Sequence, residues 1–443
     1  MHASAARLLA GLSPDPGPLR IGGIAADDLA ARFGTPLFVY DAGIARARLA
    51  AVRAAFGDRV QVLYALKANP CVRLARALRE AGAGAELASA GEVVVARAAG
   101  FAGEAMQFAG PGKDEHDFEA ALDAGVGTLN LESPAEYDAL CRVAARRGAR
   151  PGVAIRINPA RPASGARVRM AGSGSKFGVD EDRVVAFAET IERDRVCTLR
   201  GVHMYAGSQA FDVDAWLAAA ERAVEAARAI ERALGRPLSS VGLGGGFGVP
   251  ASDREPTFDV AHAGRGARDL IADAPAAQHF SIELGRWLVA ECGVYLTRIL
   301  YAKESAGRRH VIVDGGLHHF GAAAGLGAVI KRPYPIVACA DPRAEGHEPV
   351  AVGGPLCTPA DEFAAAAALP RVARGDLLAV LVAGAYGLTF SPIAFLSHPT
   401  PAEVVVDGGT ALLARRRGRP EDVLRDQDFA GDGRNSIAPP GRK

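Results

Sequence analysis

The sequence predicts an α/β protein, a (β/α)8 TIM-like barrel followed by a β-sandwich or β-barrel domain. Three observations predict it. Between about Val60 and Arg286, short β-type runs alternate with helical stretches eight times. After Trp287 the texture changes to strand-like runs separated by turns, with few helical candidates. Polar and glycine positions also recur where the barrel strands would end, the rim at which barrel enzymes place their sites. A doubly wound open sheet is the competing arrangement for the first part.

Taken in order, Pro36–Tyr40 precedes the barrel and reads as an N-terminal strand returning to the β domain. The barrel strands are expected at Val60–Leu66, Ala85–Ala88, Ala105–Ala109, Gly127–Leu131, Gly152–Asn158, Leu199–Tyr205, Ser239–Leu243 and His279–Glu283. Segments such as Ala215–Leu234 lie between them, with apolar residues at helical spacing. Later strands are expected at Val294–Tyr301, Arg309–Asp314, Pro335–Ala340, Glu348–Val352, Leu377–Ala383 and Ala402–Asp407. The domains follow as an N-terminal segment 1–45, a barrel 46–290, a β domain 291–420 and a flexible tail 421–443. Residues 1–20 are likewise expected to be loosely held. The long Gly- and Ser-containing loop from Arg161 to Ser175 is expected to be a mobile cover.

Composition narrows the function classes. Hydrophobic residues make up 49% and charged residues 23% of 443, a globular balance that excludes a disordered chain. Lys plus Arg number 51 against 50 Asp plus Glu, so a net charge of +1 leaves no electrostatic footprint for nucleic acid or an anionic membrane. The longest apolar stretch, from Leu377 towards Phe390, is broken by Gly384 and Gly387 and reads as a buried strand rather than a membrane span. The opening MHASAARLLAGLSPDPG has no separate basic region, so no signal peptide is expected. Six scattered cysteines without a CxxC pair argue against a zinc ribbon or disulfide framework and fit a reducing cytoplasm. No metal site is expected: on a strand, His318 and His319 would alternate faces.

The chemistry-bearing residues gather at the strand ends. Lys67 and Asn69 follow the first strand; Glu86 lies in the second, with Ser89 and Glu92 beyond it; Arg156 and Asn158 end the fifth. His203 and Tyr205 end the sixth, with Ser208 after them; Gly244, Gly245 and Gly246 follow the seventh; Glu283 ends the eighth, before Arg286. An isolated Lys more often lays its stem along a surface. At a barrel mouth, however, a desolvated amine can form a Schiff base. Three glycines alone can be a tight turn, but after the seventh strand they occupy the common phosphate position of barrels. Arg286 could add a charge-assisted bond there, or simply pair with Glu283. A lysine, a phosphate cradle and a carboxylate together describe a pocket for pyridoxal 5′-phosphate.

With these residues placed, the chain resembles the fold-type III pyridoxal-phosphate decarboxylases, the group holding diaminopimelate, ornithine and arginine decarboxylases, whose barrel is alanine-racemase-like. The motifs that carry the resemblance are YALKANP (64–70), GAELASAGE (84–92), RINP (156–159), KFG (176–178), GVHMYAGSQ (201–209), GGGFG (244–248), ELGR (283–286), VDGG (313–316), GGPLCTPAD (353–361) and GAYG (384–387). They occur in the family's order. The resemblance implies a carboxy-lyase in which Lys67 forms the Schiff base and Glu283 keeps the pyridine nitrogen protonated. It implies that Gly245, Gly246, Ser208 and Arg286 bind the phosphate, with Tyr386 closing over it. Glu86, His203, Tyr205 and Gly244 complete the implied cofactor pocket. Cys357 would arrive from the partner subunit of a homodimer and return the proton; an isolated Cys is otherwise more often a small buried apolar residue.

The chain also departs from the family. Tyr205 stands where the family usually has the His that stacks on the cofactor ring, and a Tyr can stack equally well. Thr358 stands where an acidic residue usually reads a substrate amino group. Thr358 weakens the case for diaminopimelate, ornithine or arginine, and Tyr205 with GGPLCTPAD resembles the branch serving secondary metabolism and exopolysaccharide loci, which implies carrier-tethered glutamyl or siderophore-pathway substrates. Arg332, Thr358 and Asp361 are the substrate-binding candidates. The alternative is a diaminopimelate decarboxylase making L-lysine. A racemase would need Arg rather than Glu283 against the ring nitrogen, and a non-catalytic homologue would not need both Lys67 and Cys357.

Overall fold

The structure is a computed structural model that describes residues 3–160, 166–169, 175–205, 207–251, 255–327 and 334–427. Eight parallel strands close into a barrel: Val60–Ala65, Gly84–Leu87, Met106–Phe108, Thr128–Leu131, Gly152–Asn158, Thr198–Met204, Ser240–Gly245 and His279–Leu284. Each lies within two residues of its expected bounds. The eighth strand pairs with the first, Glu283 against Leu63, and the fourth with the fifth, Leu129 against Val153, so the ring is closed rather than an open sheet. Parallel strands covered on both faces need apolar residues at nearly every position, and Gly152–Asn158 is buried along its whole length.

The loops leaving the strands are fixed by helix capping. Ser89 caps Ala90–Ala99 through the Glu92 N–H, and Ser133 caps Pro134–Arg147 through the Glu136 N–H. Asp114 and Asp117 form a reciprocal capping box on Glu115–Asp123. Ser89 and Glu92, singled out in the sequence as strand-end polar groups, therefore hold a helix start in place.

The second sheet runs Glu362–Leu369, Glu348–Gly353, Arg308–Val313, Gly293–Ser305, Leu37–Asp41, Ala402–Asp407, Thr410–Arg415. Gly293–Ser305 is its spine. Its first half pairs with both Leu37–Asp41 and Leu377–Leu381, and its second half pairs with Arg308–Val313. Leu37–Asp41 thus returns from before the barrel to the β region. Glu362–Leu369 is absent from the expected strands. Its sequence EFAAAAAL has the best helix former at five positions and no period-2 pattern, and pairing with Glu348–Gly353 overrides that propensity.

The N-terminus corrects the expectation of a loose segment. Ala3–Leu12 is a helix, and Ala5, Leu8, Leu9 and Leu12 are buried on one face. Arg7 pairs with Glu291 at 2.8 Å, and Arg343 donates to the Ser13 carbonyl at 2.5 Å. Pro420–Leu424 forms a short 3-10 helix, and the rest of the expected tail, 428–443, lies outside the described residues. The expected cover, 161–175, lies largely outside them too. Its Ala166–Arg169 pairs antiparallel with Gly207–Ala210.

Candidate active site

The site is assembled at the C-terminal ends of the barrel strands. Lys67 lies in a one-turn helix, Leu66–Ala68, that directly follows the first strand. Its Nζ donates to both oxygens of Glu86 on the second strand, at 2.9 and 2.8 Å. Glu86 is 1% exposed. Burial pulls the Lys67 amine down, and the Glu86 carboxylate outweighs it, so the amine is held above its ordinary range. Burial likewise pushes the Glu86 carboxyl up against the pull of Lys67, and Glu283 adds a like charge.

Across the mouth, His203 on the sixth strand places Nε2 2.8 Å from Oε1 of Glu283 on the eighth. Among the described residues, neither His203 ring nitrogen nor Glu283 Oε1 has a hydrogen-bond partner, although all three are buried. Burial pushes the Glu283 carboxyl up, but His203, Lys67 and Arg156 outweigh it, and the group is held below its ordinary range. Glu283 is therefore poised as a carboxylate with a free acceptor oxygen. Its close neighbour is His203, not Arg286 as one reading of the sequence allowed.

The glycine turn follows the seventh strand. Gly244 and Gly246 sit at φ 82° and 77°, which only glycine adopts readily, and a methyl group on Gly245 would lie 1.9 Å from the Glu283 carbonyl. The Gly207–Ala210 strand, with half-buried Ser208, is pinned to this turn by Ala210 N–H to Gly246 O at 3.0 Å. Arg286 opens the short helix after the eighth strand and stacks on Tyr386, 4.4 Å from the ring centroid. Its Nε is buried and has no partner among the described residues. Tyr386 is anchored by its N–H to the Ala68 carbonyl at 2.7 Å, and Asn69 Nδ2 donates to Gly384 O at 2.9 Å. The GAYG turn of the second sheet is thus fastened to the loop that carries Lys67. An amine, an unmatched buried acceptor, an unmatched guanidinium donor and a bare glycine turn fit an aldehyde cofactor with a ring nitrogen and a phosphate.

Sequence reasoning missed one buried network beside this site. Glu132, just beyond the fourth strand, accepts from Arg156 at 2.7 Å, from Gly110 N–H at 2.8 Å and from Gly178 N–H at 3.0 Å. Lys113 pairs with Glu136 at 2.5 Å and donates to two carbonyls. The available signal was Glu132 itself, a charge directly after the apolar strand TLNL.

Other expectations meet the structure differently. Cys357 is an exposed free thiol on the loop before Glu362–Leu369. Asp361, expected to touch substrate, is buried and accepts from Leu317 N–H at 2.6 Å and Leu356 N–H at 2.8 Å, so its carboxylate ties the loops together. Thr358 Oγ1 accepts from Ala360 N–H at 3.3 Å. Arg332 lies outside the described residues. His318 and His319 occupy a turn, not a strand, and their rings lie 3.7 Å apart, so the face-alternation argument does not apply. Among the described residues no group of three or more His, Cys, Asp or Glu could hold a metal ion, and no helix is long and apolar enough to cross a membrane.

Residues 43–290 match the model of the family described as "Pyridoxal-dependent decarboxylase, pyridoxal binding domain". The chain is 36% identical over 406 residues to the L-glutamyl-[BtrI acyl-carrier protein] decarboxylase of Niallia circulans, covering 90% of this chain and 95% of that protein. It is also 36% identical over 404 residues to the diaminopimelate decarboxylase of Deinococcus radiodurans, covering 90% and 97%. The crystal structure of diaminopimelate decarboxylase from Helicobacter pylori complexed with L-lysine superimposes with a TM-score of 0.82 at 28% identity, covering 90% of this chain and 98% of that one. The chain belongs to the pyridoxal-dependent decarboxylase family, and pyridoxal phosphate is its cofactor.

Proposed function

We propose that this pyridoxal-dependent decarboxylase removes the α-carboxylate of an amino-acid derivative without a second free amine, a glutamyl group tethered to a carrier protein being the best candidate. The loop around Cys357 carries the reading. Thr358 puts a neutral hydroxyl where a substrate ammonium would need an acid, and the carboxylate three residues on, Asp361, is engaged by two backbone amides. A dibasic substrate would bring its distal ammonium to the Thr358 hydroxyl rather than to a carboxylate at that position. The Niallia circulans relative acts on such a carrier-bound glutamyl group by its name, which supports the reading.

In this reading the bound cofactor supplies an electron sink for the pair released when carbon dioxide leaves. The chain's residues do the rest. Lys67 holds the cofactor through its amine, and Glu86 balances that amine's charge while the site is open. Glu283 keeps a proton on the ring nitrogen, and His203 beside it sustains the carboxylate. Gly244, Gly245, Gly246, Ser208, Arg286 and Tyr386 hold the phosphate. Asp361 positions the Cys357 loop. Cys357 returns a proton to the α-carbon from the partner subunit of a homodimer, which accounts for its exposure in the single chain. Arg332 would meet a substrate carboxylate.

The test is a panel assay on purified protein, reading loss of CO2 by mass spectrometry from glutamyl-loaded carrier protein, free amino acids and meso-diaminopimelate. Turnover of the loaded carrier is expected. Brisk turnover of free meso-diaminopimelate instead would replace this reading with the lysine-forming one that the Deinococcus and Helicobacter relatives represent.

A further inference from the structure

We propose that the Tyr205 hydroxyl is a ligand of the cofactor phosphate, an anchor this chain gains by carrying Tyr where the family's pattern has a stacking His. The inference rests on the cofactor site proposed above. Tyr205 directly follows the sixth barrel strand and is half-buried. Its ring centroid lies 5.8 Å from Lys67 Nζ, so the ring faces the position of the cofactor's aldehyde end. Its hydroxyl is at the other end of the pocket: a methyl group on Gly246 would lie 3.0 Å from Tyr205 Oη. The side chain therefore runs from the amine to the glycine turn, the span that an aldehyde ring bearing a phosphate has to cover.

The hydroxyl is also available. Among the described residues it has no hydrogen-bond partner, and burial holds the phenol above its ordinary range, so it stays a protonated donor at neutral pH. An imidazole at this position is shorter and offers a ring face without reaching the turn. A phenol offers the same face and adds an O–H donor at the end where bare backbone leaves room for an anion. Gly246 is constrained by the same contact, since a side chain there would collide with both the Gly207 carbonyl, at 2.1 Å, and the phenol.

The experiment compares two probes on the full chain freed of cofactor and titrated spectroscopically: pyridoxal 5′-phosphate and pyridoxal, which has the same aldehyde and ring without the phosphate. Tyr205→Phe keeps the ring and deletes the hydroxyl. Its Kd for pyridoxal phosphate is expected to rise about 10- to 100-fold, the loss of one hydrogen bond to a charged group, while its Kd for pyridoxal stays within about twofold. An unchanged Kd for pyridoxal phosphate, or an equal rise for both probes, would overturn the proposal and leave Tyr205 as a stacking face only. Tyr205→His, which restores the family's ring type, is expected to lose the phosphate preference in the same way, and it decides the matter if the Phe variant does not fold. Failure of the unmodified chain to bind pyridoxal phosphate at all would instead defeat the underlying site assignment.

Discussion

His203 Nε2 and Glu283 Oε1 lie 2.8 Å apart over the seventh barrel strand, both buried and neither with a hydrogen-bond partner among the described residues. An unmatched buried carboxylate oxygen is costly unless a donor arrives. In a pyridoxal-dependent enzyme the donor that fits is a protonated ring nitrogen. Glu283→Gln removes the charge proposed to hold that proton. Decarboxylation should fall by about 10²-fold or more, with cofactor still bound by its absorbance. Full activity in that variant would remove Glu283 from its role.

The proposed sharing of the site between subunits has a mixing test. Lys67→Ala should lose the visible absorption of protein-bound cofactor, and Cys357→Ala should slow product formation. Each variant alone is expected to be nearly inactive. Unfolded together and refolded, or co-expressed, they should recover about a quarter of wild-type activity, because half of the dimers are mixed and each mixed dimer has one intact site. No recovery in a confirmed mixed dimer would place Lys67 and Cys357 of one site on the same chain.

Asp361 is a structural test of the Cys357 loop. Asp361→Asn swaps one acceptor oxygen for an NH2 that faces a backbone N–H of Leu317 or Leu356. We expect a loss of about 1–3 kcal/mol in denaturant unfolding and faster alkylation of Cys357. Unchanged stability together with an unchanged alkylation rate would show that the two amide contacts do not hold the loop.

Glu92 sets a pH dependence. Burial and the charge of Glu86 push its carboxyl up to about 7, against the Ala88 N–H and Lys67. A carboxyl whose folded pKa exceeds its unfolded value of about 4.3 stabilises the fold least once it must ionise. Stability should therefore fall as pH rises from about 4.3 to 7, and level off above. Glu92→Gln keeps an acceptor for Ala88 N–H and removes the ionisation. The cofactor-free variant should be about 1–2 kcal/mol more stable than wild type at pH 8, after allowance for partial exposure, and equal to it at pH 4. Parallel pH profiles of the two proteins in thermal unfolding would contradict this.

The barrel and most of its rim were legible in the amino-acid order because each barrel strand declares itself locally, as an apolar run ended by a polar or glycine residue. Lys67, Glu86, His203, Gly244–Gly246 and Glu283 could be named from that pattern and the family motifs. The buried stripe of Ala5, Leu8, Leu9 and Leu12 was equally present in the order and marks a helix where a loose tail was expected. Local sequence could not show which polar groups find partners. Glu283 could as well have paired with Arg286 three residues on; closure of the barrel brought it to His203, two strands away, and gave Arg286 to Tyr386, 100 residues away. Asp361 and Thr358 looked alike as loop polar groups until the approach of Leu317 and Leu356 claimed one carboxylate. Strand pattern is a property of neighbours along the chain, and it was written in the sequence. Hydrogen-bond satisfaction is a property of neighbours in space, and only the closed barrel and its docked sheet decided it.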